Sequence, residues 1–124
     1  MKKYFSIYLL TILEFIFIGC SQTPQKMYSG NWTLKLSGDV NSDFNFVIKN
    51  DLTFSFADNI NLNGLNYDVF FSGEVIEDGT LNGSIFAGGK HIGNISGAIA
   101  PETGTGVWEG KGLGGTWIAA KQTE

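Results

Sequence analysis

LNYDVFFSGEVIEDGTLNGSIFA, residues 65–87, decides the fold. Leu65, Tyr67, Val69, Phe71, Gly73 and Val75 fall on one face of an extended chain, and Asn66, Asp68, Phe70, Ser72, Glu74 and Ile76 on the other. A helix groups residues three and four apart, a strand groups residues two apart, and only the second grouping sorts this stretch into a mostly apolar and a mostly polar face. Asp78-Gly79 interrupts the alternation. Leu81, Gly83, Ile85 and Ala87 then resume it against Asn82, Ser84 and Phe86. Asp-Gly readily adopts the positive φ angles of a tight hairpin turn. The stretch therefore predicts two antiparallel strands that bury one side.

The same period continues in both directions. Toward the N-terminus, Trp32, Leu34 and Leu36 alternate with Thr33, Lys35 and Ser37. Phe44, Phe46 and Ile48 alternate with Asn45, Val47 and Lys49; Asn50-Asp51 is turn material; Leu52, Phe54 and Phe56 follow, separated by Thr53 and Ser55. Asp58 to Gly64 is rich in Asn and predicts the longest connection. Toward the C-terminus, Gly88-Gly89 marks a second hairpin. Gly93, Ile95, Gly97 and Ile99 oppose Asn94, Ser96 and Ala98, and Pro101 to Gly104 reads as a loop. Trp108 lies between outward Val107 and Glu109, and Leu113-Gly114 reads as the last turn. In the final strand Trp117 and Ala119 share one face, but Thr116, Ile118 and Ala120 would serve equally well. About eight strands with short connections predict an all-β chain, a small antiparallel up-and-down barrel, whose closure removes exposed sheet edges. An open curled sheet or a small sandwich is the alternative. Inward Gly73, Gly83, Gly93 and Gly97 suit the tight coiling of a small barrel.

The first fifth of the chain follows different rules. Lys2 and Lys3 precede an apolar run from Tyr4 to Ile18, and Gly19 precedes Cys20, the only cysteine. This is the layout of a secretory signal peptide. The run is short for a membrane span, which needs roughly 20 apolar residues. Gly19-Cys20 resembles the lipobox of bacterial lipoproteins, although Phe17 stands where that family usually has Leu and Glu14 interrupts the apolar run. The resemblance implies cleavage before Cys20, a diacylglycerol on its sulfur, export, and a lipid anchor in the bacterial cell envelope. With Ser21 next, it implies the outer membrane in a Gram-negative host. A single cysteine has no intramolecular disulfide partner, and acylation removes an exposed thiol. The chain divides into a signal peptide (1–19, expected to be helical), the acylated cysteine with a polar tether containing Pro24 (20–29), and the barrel (30–124).

Charge narrows the partners. The chain carries a net charge of −4 and no arginine. Lys2, Lys3 and Glu14 contribute +1 to the leader, so the remainder stands at −5. An acidic, arginine-free domain is a poor match for nucleic acid or for anionic headgroups. Gly110, Gly112 and Gly115 match G-x-G-x-x-G, but a strand and not a helix follows, so no phosphate-binding helix N-terminus is formed. His91 is the only histidine and sits at a predicted turn, short of the ligands a metal or the partner a nucleophile requires. Glu74, Glu77 and Asp78 cluster near one hairpin and read as a solvated rim. Asn31, Asn82 and Asn94 begin glycosylation-type triplets, which have no routine meaning in a bacterial lipoprotein. No catalytic residue, cofactor site or metal site is expected.

The aromatic residues remain. Gly30-Asn31-Trp32 at the start of the first strand resembles the Gly-x-Trp opening of lipocalins and avidins. Leu34 stands where the avidin pattern has its ligand-binding Asn, which argues against biotin. Gly106-Val-Trp-Glu-Gly110 followed by Leu113-Gly-Gly-Thr-Trp117 is similar to the last hairpin of the surface-lipoprotein barrels related to transferrin-binding proteins, without their Pro-x-Ala-x-Glu segment. Both resemblances imply a barrel. The expected role is a non-enzymatic binding or interaction module. If the interior is hollow, a small apolar ligand would be lined by Trp32, Phe44, Phe54, Tyr67, Phe71, Trp108 and Trp117. A filled interior is the simpler expectation for so short a chain. It would leave a structural or inhibitory lipoprotein that meets an envelope protein through its loops, as in exported barrels that resemble bacterial protease inhibitors.

Overall fold

A computed structural model describes residues 23–123. The expected signal peptide and the expected acylation of Cys20 fall outside the described residues. Within them, one helical turn, α1 (Pro24–Tyr28), precedes eight strands: β1 (Gly30–Gly38), β2 (Ser42–Ile48), β3 (Thr53–Leu62), β4 (Leu65–Val75), β5 (Thr80–Ala87), β6 (Lys90–Ile99), β7 (Thr103–Gly110) and β8 (Leu113–Lys121). All pairings are antiparallel, in the order β2-β1-β8-β7-β6-β5-β4-β3. Chain neighbours β2 and β3 are thus the two ends of the sheet, which curls into a nearly closed barrel.

The barrel stops short of closure between β2 and β3. Lys49 N–H donates to the Thr53 carbonyl at 2.9 Å across the β2–β3 turn, and beyond that bond the two strands diverge without pairing. Phenylalanine rings fill the seam. Phe46 meets Phe54 and Phe56 at centroid distances of 5.7 and 5.2 Å, and Phe44 meets Phe56 and Phe71 at 5.7 and 5.4 Å. Phe56 stacks on Phe71 at 4.7 Å with the planes 5° apart. Apolar contact replaces the hydrogen-bond ladder along this line.

Strand parity holds as expected through most of the sheet. Trp32, Leu34, Leu36, Phe44, Phe46, Phe54, Val69, Phe71, Ile85, Ile95, Ile99, Trp108 and Trp117 are buried, and Ala119 joins Trp117, which resolves the phase of the last strand. Three expectations are corrected. Asp58 to Leu62 belongs to β3, and the connection is only Asn63-Gly64, with φ of 53° and 84°. Asn-Gly is the strongest two-residue hairpin signal. The asparagines that suggested a loop form cross-strand bonds instead, Asn59 to Asp68 at 2.5 Å and Asn61 to Asn66 at 3.0 Å. The last turn is Lys111-Gly112, ahead of Leu113. Tyr67 follows inward parity but is 44% exposed, because the outer half of the β3–β4 hairpin overhangs the barrel.

The stretch expected as a tether contributes to the fold. Thr23 caps α1 with its side chain, Pro24 opens it, and Tyr28 is buried. Trp32 Nε1 donates to the Tyr28 carbonyl at 2.8 Å, and Lys121 Nζ reaches the Met27 carbonyl at 3.4 Å. The packed unit thus begins ahead of Gly30. This helical turn covers the barrel end formed by turns 49–52, 76–79 and 100–102. The opposite end is formed by 39–41 and by turns 63–64, 88–89 and 111–112.

Inward glycines do more than permit coiling. Gly97 and Gly106 face each other across β6 and β7, and the Trp117 indole lies over both. A Cβ on either would come within 2.6 Å of that ring. Trp117 Nε1 then reaches the Ser96 carbonyl at 3.0 Å. Gly73 and Gly83 make the same kind of room for Phe54. The pattern satisfies the large rings, including their polar atom, while keeping the interior close-packed.

Candidate functional site

Filled and hollow halves share the interior. At the end covered by α1, the buried residues Tyr28, Trp32, Phe54, Leu81, Ile95, Ile99 and Trp117 belong to the hydrophobic core. Toward the other end, a cup of about 400 Å³ opens between the turns. Its floor and walls are Leu36, Val69, Phe71, Ile85 and Trp108. Its lip is Val40, Ile60, Leu62, Tyr67, Ala87, Ile92, Lys111 and Leu113. The volume lies in the range of small-molecule sites, which are concave, mostly apolar and equipped with few polar groups.

Each wall follows from a local feature of the chain. The long β3–β4 hairpin carries Ile60, Leu62 and Tyr67 out over the mouth. A β-bulge in β6 leaves Ile92 without a partner between the pairs Ile85–Gly93 and Phe86–His91. Strict alternation would put Ile92 outside with Asn94; the bulge turns it into the cup. Phe71 is fully buried at the bottom, held by Phe56 on one side and Phe44 on the other. Trp108 Nε1 donates to the Ser37 carbonyl at 3.2 Å, so its polar atom is engaged by the wall. Among the lining residues, Tyr67 carries the one hydroxyl and Lys111 the one charge.

The expected ligand-lining residues divide between the two halves. Tyr67, Phe71 and Trp108 line the cup. Trp32, Phe54 and Trp117 belong to the filled half, and Phe44 packs in the seam. Sequence reading missed Ile60 and Leu62 inside the Asn-rich stretch, Ile92 at the bulge, and Val40, Lys111 and Leu113 at turns. The available signal was Asn63-Gly64: read as a hairpin, it puts Ile60 and Leu62 in phase with Phe54 and Phe56.

Other polar groups gather outside the barrel. His91 Nε2 lies 3.1 Å from Asn94 Oδ1, and Asn94 Nδ2 donates to Glu109 Oε1 at 3.0 Å, all on the exposed face. Glu74, Glu77 and Asp78 are exposed. Among the described residues no cluster of three or more His, Cys, Asp or Glu has metal-binding geometry. Gly110 to Gly115 forms the β7–β8 hairpin. At the closed end, two Asp-x-Thr turns repeat one device. Asp51 Oδ1 accepts from the Thr53 hydroxyl at 2.6 Å and its amide at 3.0 Å, and Asp78 Oδ1 accepts from the Thr80 amide at 2.9 Å. These bonds favour the ionised form and hold both carboxyls below the usual aspartate value; the Thr53 hydroxyl acts most strongly on Asp51, and the Thr80 amide on Asp78.

No protein-family model, curated protein or solved structure matches the chain.

Proposed function

We propose that the protein is an exported, lipid-anchored binding module that holds one small, largely apolar ligand in the mouth of its barrel, without catalysing a reaction. The observation that carries this reading is the cup: about 400 Å³ of space at one end of the barrel, walled mainly by aliphatic and aromatic side chains. An exposed concave apolar surface is costly in a domain this small, because empty space forfeits packing contacts. A guest recovers them. Gly19-Cys20 supports the anchor and the route of export.

Two experiments test the halves of the proposal separately. Dodecanol added to the full chain in lipid nanodiscs should change Trp108 fluorescence saturably, and Trp108→Phe should abolish that signal. Ligand at about one hundred times its Kd should add about 2.7 kcal/mol of stability. Neither a saturable signal nor a thermal shift with dodecanol or an envelope lipid extract would reject the cup as a binding site. That result would turn attention to the overhanging hairpin, where Leu65 is 61% exposed, as a surface for an envelope protein. For the anchor, Cys20→Ser should end palmitate labelling and release the chain from membranes. Unchanged partition in that variant would refute acylation at Cys20.

A further inference from the structure

Three two-residue turns stand at the mouth of the cup, and in each both residues have positive φ. Asn63-Gly64 has angles of 53° and 84°, Gly88-Gly89 of 59° and 78°, and Lys111-Gly112 of 54° and 78°. Asparagine and glycine accept this conformation at little cost, whereas a long side chain such as lysine is disfavoured there. Two of the turns therefore use the inexpensive residues. The third keeps a lysine in a strained position, and that lysine is the charged group lining the cup among the described residues. Local strain retained at the edge of a cavity points to a use for the side chain.

We propose that the guest is a single-chain amphiphile with an anionic headgroup, whose chain enters the cup and whose headgroup meets the Lys111 ammonium at the lip. This rests on the reading of the cup as a ligand site and adds the class of ligand. The domain as a whole is acidic, so an anion is drawn by the one lining cation and not by the surface field: the cup has an apolar interior without buried charge, and Lys111 stands at its boundary with water, where pairing incurs less desolvation than in the depths. At about 30 Å³ per water-sized unit, the volume accommodates roughly a dozen heavy atoms, which suits a medium-length chain. Tyr67, on the overhanging hairpin, is the lining residue that carries a hydroxyl. A carboxylate and a phosphate monoester share this chemistry, and the probes distinguish them.

The full chain in nanodiscs would be titrated with dodecanoate, dodecyl phosphate, dodecanol and dodecyltrimethylammonium, with Trp108 fluorescence as readout and empty nanodiscs as the partition reference. At least one anion should bind more tightly than dodecanol, and dodecyltrimethylammonium more weakly. The stronger anion identifies the headgroup. Lys111→Asn should weaken the anions about three- to tenfold, leave dodecanol unchanged, and raise the Tm, because Asn-Gly suits this turn. Lys111→Glu should reverse the preference toward dodecyltrimethylammonium. Equal binding of anions and dodecanol, unmoved by either variant, would overturn the inference and leave the apolar cup intact. Failure of all four probes would overturn the cup reading itself.

Discussion

Phe70 and Phe71 are adjacent in the chain and opposite in environment. Phe71 is fully buried between Phe56 and Phe44, whereas Phe70 is 43% exposed and pairs across the strands with Phe86 at 6.2 Å. Phe71→Asp would place an unpaired carboxylate at the floor of the cup, so a loss of several kcal/mol is expected. Phe70→Asp should cost about 1 kcal/mol, the worth of a cross-strand aromatic pair. Urea denaturation of the two variants checks the order, and equal losses would mean the register is slipped by one residue. This contrast was legible from alternation alone, because a period of two needs no knowledge of the partner strand. Tyr67 was not legible in the same way. It has the parity of Phe71 but stands where the hairpin outruns the barrel, and the length of neighbouring strands is a property of the sheet.

Turns carry the second level of organisation. Asp51-Leu52-Thr53 and Asp78-Gly79-Thr80 close the same end of the barrel with the same aspartate-to-threonine-amide hydrogen bond and a positive φ at the central residue. Both carboxyls titrate below their ordinary value in the folded state. Their contribution is therefore present above the unfolded aspartate value, about 3.9, and is lost as pH falls below it through the folded values. The Asp51→Asn, Asp78→Asn double variant should show a shallower loss of Tm below about pH 4 than the parent, and match its slope at neutral pH. Identical acid limbs would mean that other carboxylates set the response. Asp78-Gly79 and Gly88-Gly89 were recognisable in the chain because each interrupts clear alternation. Asn63-Gly64 was obscured by its asparagine-rich neighbours, whose side chains pair across strands that sequence composition reads as loop. The bulge at Ile92 left no mark in the sequence, since a single extra residue is visible only once both strands are aligned.

Eight strands and their order follow from short connections between alternating segments, but the incomplete closure and the hollow half do not. Both depend on distances across the barrel, which no local pattern encodes. The seam has a measurable consequence. Backbone amides of β2 and β3 that point toward each other lack ladder partners, whereas those of β6 and β7 are paired on both sides. Hydrogen exchange should thus be fast at alternate residues of β2 and β3 and slow through β6 and β7. Uniform protection would mean that the two edges are bridged. The position of α1 has a consequence of another kind. The chain enters at the covered end, and strands of ten residues, such as β3, span about 25–30 Å even when tilted. If Cys20 carries the proposed lipid, the doorway of the cup would open on the side away from the anchor. A molecule so moored would be badly placed to skim lipid from its own bilayer and well placed to receive cargo from the water or from a surface across the gap.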